Sequence, residues 1–243
     1  MISQMVSQAA CGMPAAELSR AKLGDRVGQD NHNEGYRRFR QAMQDGKLKA
    51  GMIVTQSDLC DLLGLSLTPL RETLVLLEEF GLVEVKNRAG IRIVYPEVTF
   101  IRENFQFRSL IELHAIRVFT PVVPPGWVEE MNKLHKRFED DLGAVESASD
   151  IYRAWTALDS EFHGAIVKAL DNQAIQAVYQ RIMDNINLAR QVHDRTRART
   201  RIHDSCQEHL AILRSIGAGD TEGASRALEQ HFQASTYRTI VAA

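Results

Sequence analysis

"LGLSLTPLRETLVLLEEFGLV", residues 63–83, is the stretch on which the reading of the fold turns. Leu70, Leu74, Leu77 and Phe80 recur at three- and four-residue steps, the spacing of a helix that buries one face, and Gly81 supplies a stop. Ser66 or Thr68 caps the start. Pro69 is tolerated in the first turn because its missing N–H would have had no partner there. A helix begun this way turns Thr68, Arg71 and Thr73 outward.

The neighbouring segments complete a unit. Upstream, Thr55 caps another helix with Asp58 at its third position; Leu59, Leu62 and Leu63 form its inner stripe, and Gly64 ends it. Before that, Tyr36, Phe39 and Met43 trace a first short helix, which Asp45-Gly46 closes. Downstream, "LVEVK" and "IRIVY" alternate apolar and polar residues around the turn "NRAG", the pattern of a two-stranded ribbon. This order of elements is that of a winged helix-turn-helix, which sets the start of its last helix in the major groove of DNA. Arg71 then faces bases or phosphates, with Thr68 and Thr73 near phosphate oxygens and Lys86, Arg88 and Arg92 on the wing. A plainer reading pairs Arg71 with Glu72 or Glu78 on a solvated helix. Residues 36–96 hold nine Lys or Arg against seven Asp or Glu, so the electrostatic footprint is modest.

The whole chain has 243 residues and a net charge of −2, with 44% hydrophobic and 25% charged residues. Such a length favours two domains of ordinary globular composition. No apolar run approaches the roughly 20 residues that cross a bilayer, and the start "MISQMVSQAACGM" lacks the basic and apolar segments of a secretory signal. Cys11, Cys60 and Cys206 are too few and scattered for a disulfide framework or a thiolate metal site. These features predict a cytoplasmic protein without membrane association. Residues 1–32 read as a flexible tail around a short helical pattern at Pro14 to Lys22.

Beyond "PEVTF" the sequence turns helical. Segments are expected from about Phe100 to Val118, Trp127 to Leu142, Ser149 to Leu170, Asn172 to His193, Ile202 to Gly217 and from Gly219-Asp220 to Val241, broken once by "TPVVPPG". The fold class that follows is mainly α: a winged helix-turn-helix over residues 33–97, then an all-α antiparallel bundle over 98–243.

Within that bundle, "LDSEFHGAIV" sets Asp159 and His163 four apart, on one helix face. His209 in "CQEHLAIL" and His231 in "LEQHFQAS" sit in apolar stripes of the last two segments, which a turn at Gly219-Asp220 brings antiparallel. Taken singly, each histidine reads as a core or surface residue. Together, three imidazoles and a carboxylate form a plausible shell for a divalent transition ion, with no thiolate to select a soft metal. His193 and His203 fall off that face, and the run Arg195, Arg197, Arg199, Arg201 steps every two residues, as on a solvated surface.

Two resemblances bear on these readings. The stretch from "AMQDGKLKAGMIV" to "NRAGIRIV" resembles the DNA-binding domain of the GntR family of bacterial transcription regulators. Gly46, Leu48, Gly51, Leu59, Gly64, Ser66, Thr68, Pro69, Arg71, Glu72, Leu74, Leu77, Gly81 and Leu82 match its pattern. Leu67 stands where the family usually has arginine, and Gln56-Ser57 where members often carry a basic contact, so the operator should differ from the common family sites. Residues 100–240 resemble the helical FCD effector domain of the FadR-type branch through Arg108 to Glu112, Asp159 to His163, Asn172 to Ile175, Glu208 to Leu213, Gly219-Asp220 and His231.

The second resemblance implies a metal held by Asp159, His163, His209 and His231, a small carboxylate effector beside it, and a homodimer on operator DNA. Arg108 and Arg190 are the candidate anion-binding cations, although Arg108 also reads as the partner of Glu112. Zinc, nickel, manganese and iron all suit the ligand set. The competing reading is a metal-dependent hydrolase or lyase in the bundle. It lacks a base, because Glu161 and Glu208 point off the metal face and Glu112 reaches it only if its helix packs there. A sealed, purely structural metal bundle is a third reading.

Overall fold

The computed structural model describes residues 34–86, 89–143, 148–191 and 198–241. The expected tail over residues 1–32, with its short helix, lies outside them, as do Cys11, Arg88, His193, Arg195 and Arg197. Helix α1 spans residues 34–44. It is followed by β1 (Ile53–Val54), α2 (Gln56–Leu63), α3 (Leu67–Glu79), β2 (Val83–Lys86) and β3 (Gly90–Ile93). The expected capping box is present: Asp58 N–H donates to Thr55 Oγ1 at 3.1 Å, and Thr55 N–H donates to Asp58 Oδ2 at 2.8 Å. Gly64 closes α2 at φ 60°, a left-handed backbone where a side chain would be strained. Ser66 occupies the capping position of α3 without using its side chain.

The ribbon is one strand larger than expected. β1 pairs antiparallel with β3, giving the order β1-β3-β2. Two residues are too short a run for alternation to show in a sequence. Phe39, Met43, Leu48, Leu59, Leu63, Leu70, Leu74, Leu77, Ile91 and Ile93 form the core of this part. Leu62, expected on the inner stripe of α2, is instead 38% exposed. Phe80 is the C-cap of α3 and packs edge-on against Tyr36 of α1, with ring centroids 5.5 Å apart.

Among the described residues that follow there are six long helices: α4 (Val98–Phe119), α5 (Trp127–Leu142), α6 (Ala148–Lys168), α7 (Gln173–Gln191), α8 (Ala198–Gly217) and α9 (Thr221–Val241). A single 3-10 turn at Thr120–Val122 takes up the proline-rich break. The side chain of Asn172 accepts from Ile175 N–H at 3.1 Å and that of Asp220 from Gly223 N–H at 2.8 Å, so polar residues seal the starts of α7 and α9. Helix α4 packs against α6, α7 and α9, and α8 packs against α5 and α9. Their apolar faces meet in a core that includes Ile101, Phe105, Ile116, Phe162, Ile186, Leu213, Ile216, Leu228 and Phe232.

The two parts touch along α7. Leu188 inserts into the amino-terminal core. Asp184 accepts a hydrogen bond from Tyr36 Oη and pairs with Arg40 at 2.6 Å, both on α1. The Arg181 guanidinium lies 4.7 Å from the ring centroid of Phe80. Among the described residues, no helix is long and apolar enough to cross a membrane.

Candidate metal centre and DNA-reading face

Asp159 and His163 stack four apart on α6, His209 projects from α8 and His231 from α9. All four are buried, and one ligand atom from each lies within 4.8 Å of the others. His163 Nε2 is 3.1 Å from His209 Nε2, and Asp159 Oδ1 is 3.6 Å from the former and 3.7 Å from the latter. Two atoms bound to one ion at about 2.1 Å would lie about 3 to 3.5 Å apart, so the cluster is close to the size of a coordination shell.

The remaining ring nitrogens fix which atoms face the centre. Glu112 Oε2 lies 2.6 Å from His163 Nδ1 and Glu208 Oε2 lies 2.7 Å from His231 Nδ1; a carboxylate accepts, so each Nδ1 donates. His209 Nδ1 is 3.0 Å from His135 Nε2, and His135 Nδ1 is 2.7 Å from the Met131 carbonyl. The carbonyl only accepts, so His135 donates from Nδ1 and offers a lone pair at Nε2 to the Nδ1 proton of His209. These bonds turn Nε2 of all three ligand rings inward, and in the neutral ring each Nε2 is then a lone-pair donor. His231 Nε2 and Asp159 Oδ1 are buried without a hydrogen-bond partner. Converging lone pairs with no proton between them repel, and a cation placed among them removes the conflict.

The surrounding charges are matched. Arg190 Nη1 lies 3.2 Å from Asp159 Oδ2 and its Nη2 donates to Ser235 Oγ at 3.4 Å. Arg108 Nε donates to Glu112 Oε1 at 2.6 Å, where Tyr179 Oη also donates at 2.8 Å. Arg238 pairs with Glu208 at 2.7 Å. Burial would push the Glu112 carboxyl up, but Arg108 and His163 outweigh it and hold the pKa at about 2. Burial, opposed by Arg190, His163 and Arg108, leaves Asp159 well below the usual carboxylate range. Burial pushes His231 down to about 4 against the raising pull of Glu208, and it depresses His209 strongly, with His231 and His163 adding to the effect. The protein thus keeps the acids charged and these two ligand imidazoles neutral, the forms that bind a metal.

Arg108 is fully buried, with its guanidinium carbon 5.0 Å from the Phe232 ring centroid. Only its Nε is used, and Nη1 and Nη2 have no partner. Arg190, the second candidate cation, is committed to Asp159. The sequence reading missed His135, whose signal was a histidine on the apolar stripe Met131, His135, Phe138 of α5. It read Glu112 as the partner of Arg108, which the 2.6 Å pair bears out, and Glu112 and Glu208 as rejected bases; both also hold ligand histidines by Nδ1.

On α3, Leu67, Thr68 and Arg71 are exposed, and among the described residues Arg71 makes no ion pair or hydrogen bond. Thr73 does not face outward. It is fully buried, its hydroxyl donates to the Pro69 carbonyl at 2.8 Å, and it packs so closely on Gly35 that a Cβ there would meet Thr73 Oγ1 at 1.9 Å. Three residues from Leu70 and four from Leu77, it shares their buried face. Arg92 on β3 is half-buried and bonded across the strand pair to Glu84 at 2.7 Å; exposed Lys86 lies 3.5 Å from the same carboxylate. Arg88 lies outside the described residues.

Comparison with known proteins agrees with this architecture. Residues 33–93 match the family model of bacterial regulatory proteins of the gntR family, and residues 103–234 match the FCD domain. A relative from Paenarthrobacter nicotinovorans, described as a probable D-xylose utilization operon transcriptional repressor, is 26% identical over 78% of this chain and 80% of its own. The transcriptional repressor NanR of Klebsiella aerogenes is 22% identical over 92% of this chain and 88% of its own. Among solved structures, one described as a GntR transcriptional regulator from Rhodococcus sp. RHA1 superposes with a TM-score of 0.70 at 22% identity, covering 91% of this chain and 99% of that one. The families and relatives are regulators rather than enzymes, which removes the hydrolase or lyase reading. With both of its parts matched, the chain belongs to the GntR family of bacterial regulatory proteins and carries an FCD domain as its helical part.

Proposed function

We propose that this regulator binds operator DNA as a homodimer in the cytoplasm and senses a small carboxylate metabolite beside a divalent transition ion. In this reading residues 33–97 contact DNA through Thr68, Arg71 and Lys86, with Arg92 bracing the wing, and residues 98–243 sense the metabolite and dimerise. The observation that carries the proposal is Arg108, whose two unpaired guanidinium nitrogens lie buried beside the four-ligand cluster. A buried guanidinium with an unused fork fits a carboxylate, which it grips through two parallel hydrogen bonds.

Charge balance points the same way. Asp159, Glu112 and Glu208 are each offset by one arginine, namely Arg190, Arg108 and Arg238. A divalent cation entering this balanced chamber leaves two positive charges, which favours an anionic ligand. When bound, the ion would supply a Lewis-acidic attachment point for one carboxylate oxygen.

Helix α7 connects sensing to DNA. Arg190 near its end holds Asp159, while Asp184, Arg181 and Leu188 clamp α1 and the end of α3. A ligand that binds one position of α7 more tightly than another biases the orientation of the DNA-reading helix. The test is isothermal titration of purified protein, first with zinc chloride and then with a panel of small mono- and dicarboxylates. The expected result is stoichiometric zinc, carboxylate binding that depends on it, and loss of carboxylate binding in Arg108→Met. Carboxylate binding unaffected by that change overturns the assignment.

A further inference from the structure

We propose that His135 is a positioning residue for the metal centre: it accepts the Nδ1 proton of His209 and so turns the Nε2 lone pair of that ligand toward the ion. The inference rests on the metal reading above and adds a residue outside the four ligands.

His135 is held from behind. Its Nδ1 donates to the Met131 carbonyl at 2.7 Å, one turn earlier on α5, leaving Nε2 as an acceptor 3.0 Å from His209 Nδ1. His209 itself is clamped in plane. Trp155 stacks on it with ring centroids 5.2 Å apart and 27° between planes, and Phe162 with 4.4 Å and 19°. Stacking fixes where the ring lies but says nothing about which nitrogen carries the proton. That choice falls to the hydrogen bond, and both nitrogens have suitors: His135 at Nδ1, and at Nε2 both His163 Nε2 at 3.1 Å and the buried unpartnered Asp159 Oδ1 at 3.7 Å. Before metal arrives, a proton on Nε2 would relieve the crowd of lone pairs at the centre. It would also remove a ligand. His135 opposes this by rewarding the other tautomer.

Its chemistry differs from that behind the other two rings. Glu112 and Glu208 serve His163 and His231, and each carboxylate has its own arginine. A third carboxylate at position 135 would need a third such arginine in a pocket walled by Trp155 and Phe162. A neutral imidazole does the same orienting work and leaves the charge of the chamber unchanged.

The experiment uses the full chain with zinc as the probe, in competition with a chromogenic chelator, for the parent, His135→Leu and His135→Gln. Glutamine places an amide oxygen near the position of Nε2; leucine fills the space without an acceptor. Leucine is expected to weaken zinc binding about 10- to 100-fold, while glutamine stays close to the parent. A 15N spectrum of the metal-free imidazoles reads the tautomer directly, with the His209 proton on Nδ1 in the parent and in His135→Gln. Equal losses in both variants, parent-like zinc binding in His135→Leu, or a parent His209 protonated on Nε2 would each overturn the proposal. A parent that takes up no zinc, with the His209 proton on Nδ1 as expected, sinks the metal reading instead, so the two failures are separable. The parent spectrum decides even if the leucine variant does not fold.

Discussion

Arg71 on α3 and Arg108 on α4 are both arginines with unused hydrogen-bonding capacity, yet they stand in opposite surroundings. Arg71 is open to solvent, where water satisfies its five N–H groups while it waits. Arg108 is fully buried, so each idle N–H has lost its water, and Glu112 and the Phe232 ring offset only part of that loss. An exposed cation waiting for a polyanion is cheap, and its affinity comes from counterions released on binding. A buried cation with only its Nε in use is costly, which fits the proposal that a ligand completes the chamber. On the proposed function, one face would recognise by collecting charge and the other by completing a network.

The sharpest way to break this contrast is to remove each arginine and measure stability. Arg108→Ala leaves Glu112 as an uncompensated buried acid and is expected to cost about 3 to 5 kcal/mol in urea unfolding. Arg71→Ala should leave the urea midpoint where it was. A cost below about 1 kcal/mol for Arg108→Ala would mean that water fills the chamber and that its idle nitrogens mark no missing ligand.

The metal makes the next distinction. Zinc at about a thousand times its Kd should stabilise the parent by about 4 kcal/mol, and chelation should remove that gain. His209→Ala with His231→Ala should abolish zinc-dependent stabilisation and leave no metal in elemental analysis. A double variant that keeps stoichiometric metal refutes the four-ligand centre. Operator binding by metal-free protein is the useful control, because the DNA-reading face shares no residue with the chamber.

On the DNA side, Arg71→Ala should weaken specific operator binding by about 1 to 3 kcal/mol, roughly 5- to 150-fold, and relax preference at one base position. Gel shifts that do not change remove Arg71 from the interface.

How far each region could be read in advance follows from the kind of contact that builds it. Local contacts were legible: the Thr55-Asp58 capping box, Pro69 in the first turn of α3 and the Asp159-His163 pair each depend on residues within four positions. The convergence of His209 and His231 was legible too, because the Gly219-Asp220 turn makes their helices antiparallel. Contacts across helices were not. Nothing near position 190 announces that Arg190 holds Asp159, and nothing near 135 that His135 meets His209, 74 positions away. Thr73 was misread for a different reason. Its place among Leu70, Leu74 and Leu77 puts it inward, but its hydroxyl suggested a phosphate contact, whereas Pro69 leaves that hydroxyl a carbonyl one turn back to satisfy.

The smallest expected effect tests Leu67, one of the two places where the amino-terminal part departs from the family pattern. Leu67 begins α3, is 44% exposed and lies one turn before Arg71 on the same side. An apolar side chain there releases no counterion and donates no hydrogen bond, so whatever it adds depends on base identity, through contact with a thymine methyl, rather than on phosphate charge. Leu67→Arg should therefore raise affinity for DNA of any sequence more than affinity for the selected operator. It should steepen the slope of log K against log salt by about 0.9, the value for one additional phosphate neutralised. Binding measured across a salt series on operator and scrambled duplexes gives both numbers. An unchanged slope would mean that position 67 does not reach the backbone, and the reading face would then narrow to Thr68 and Arg71 on α3.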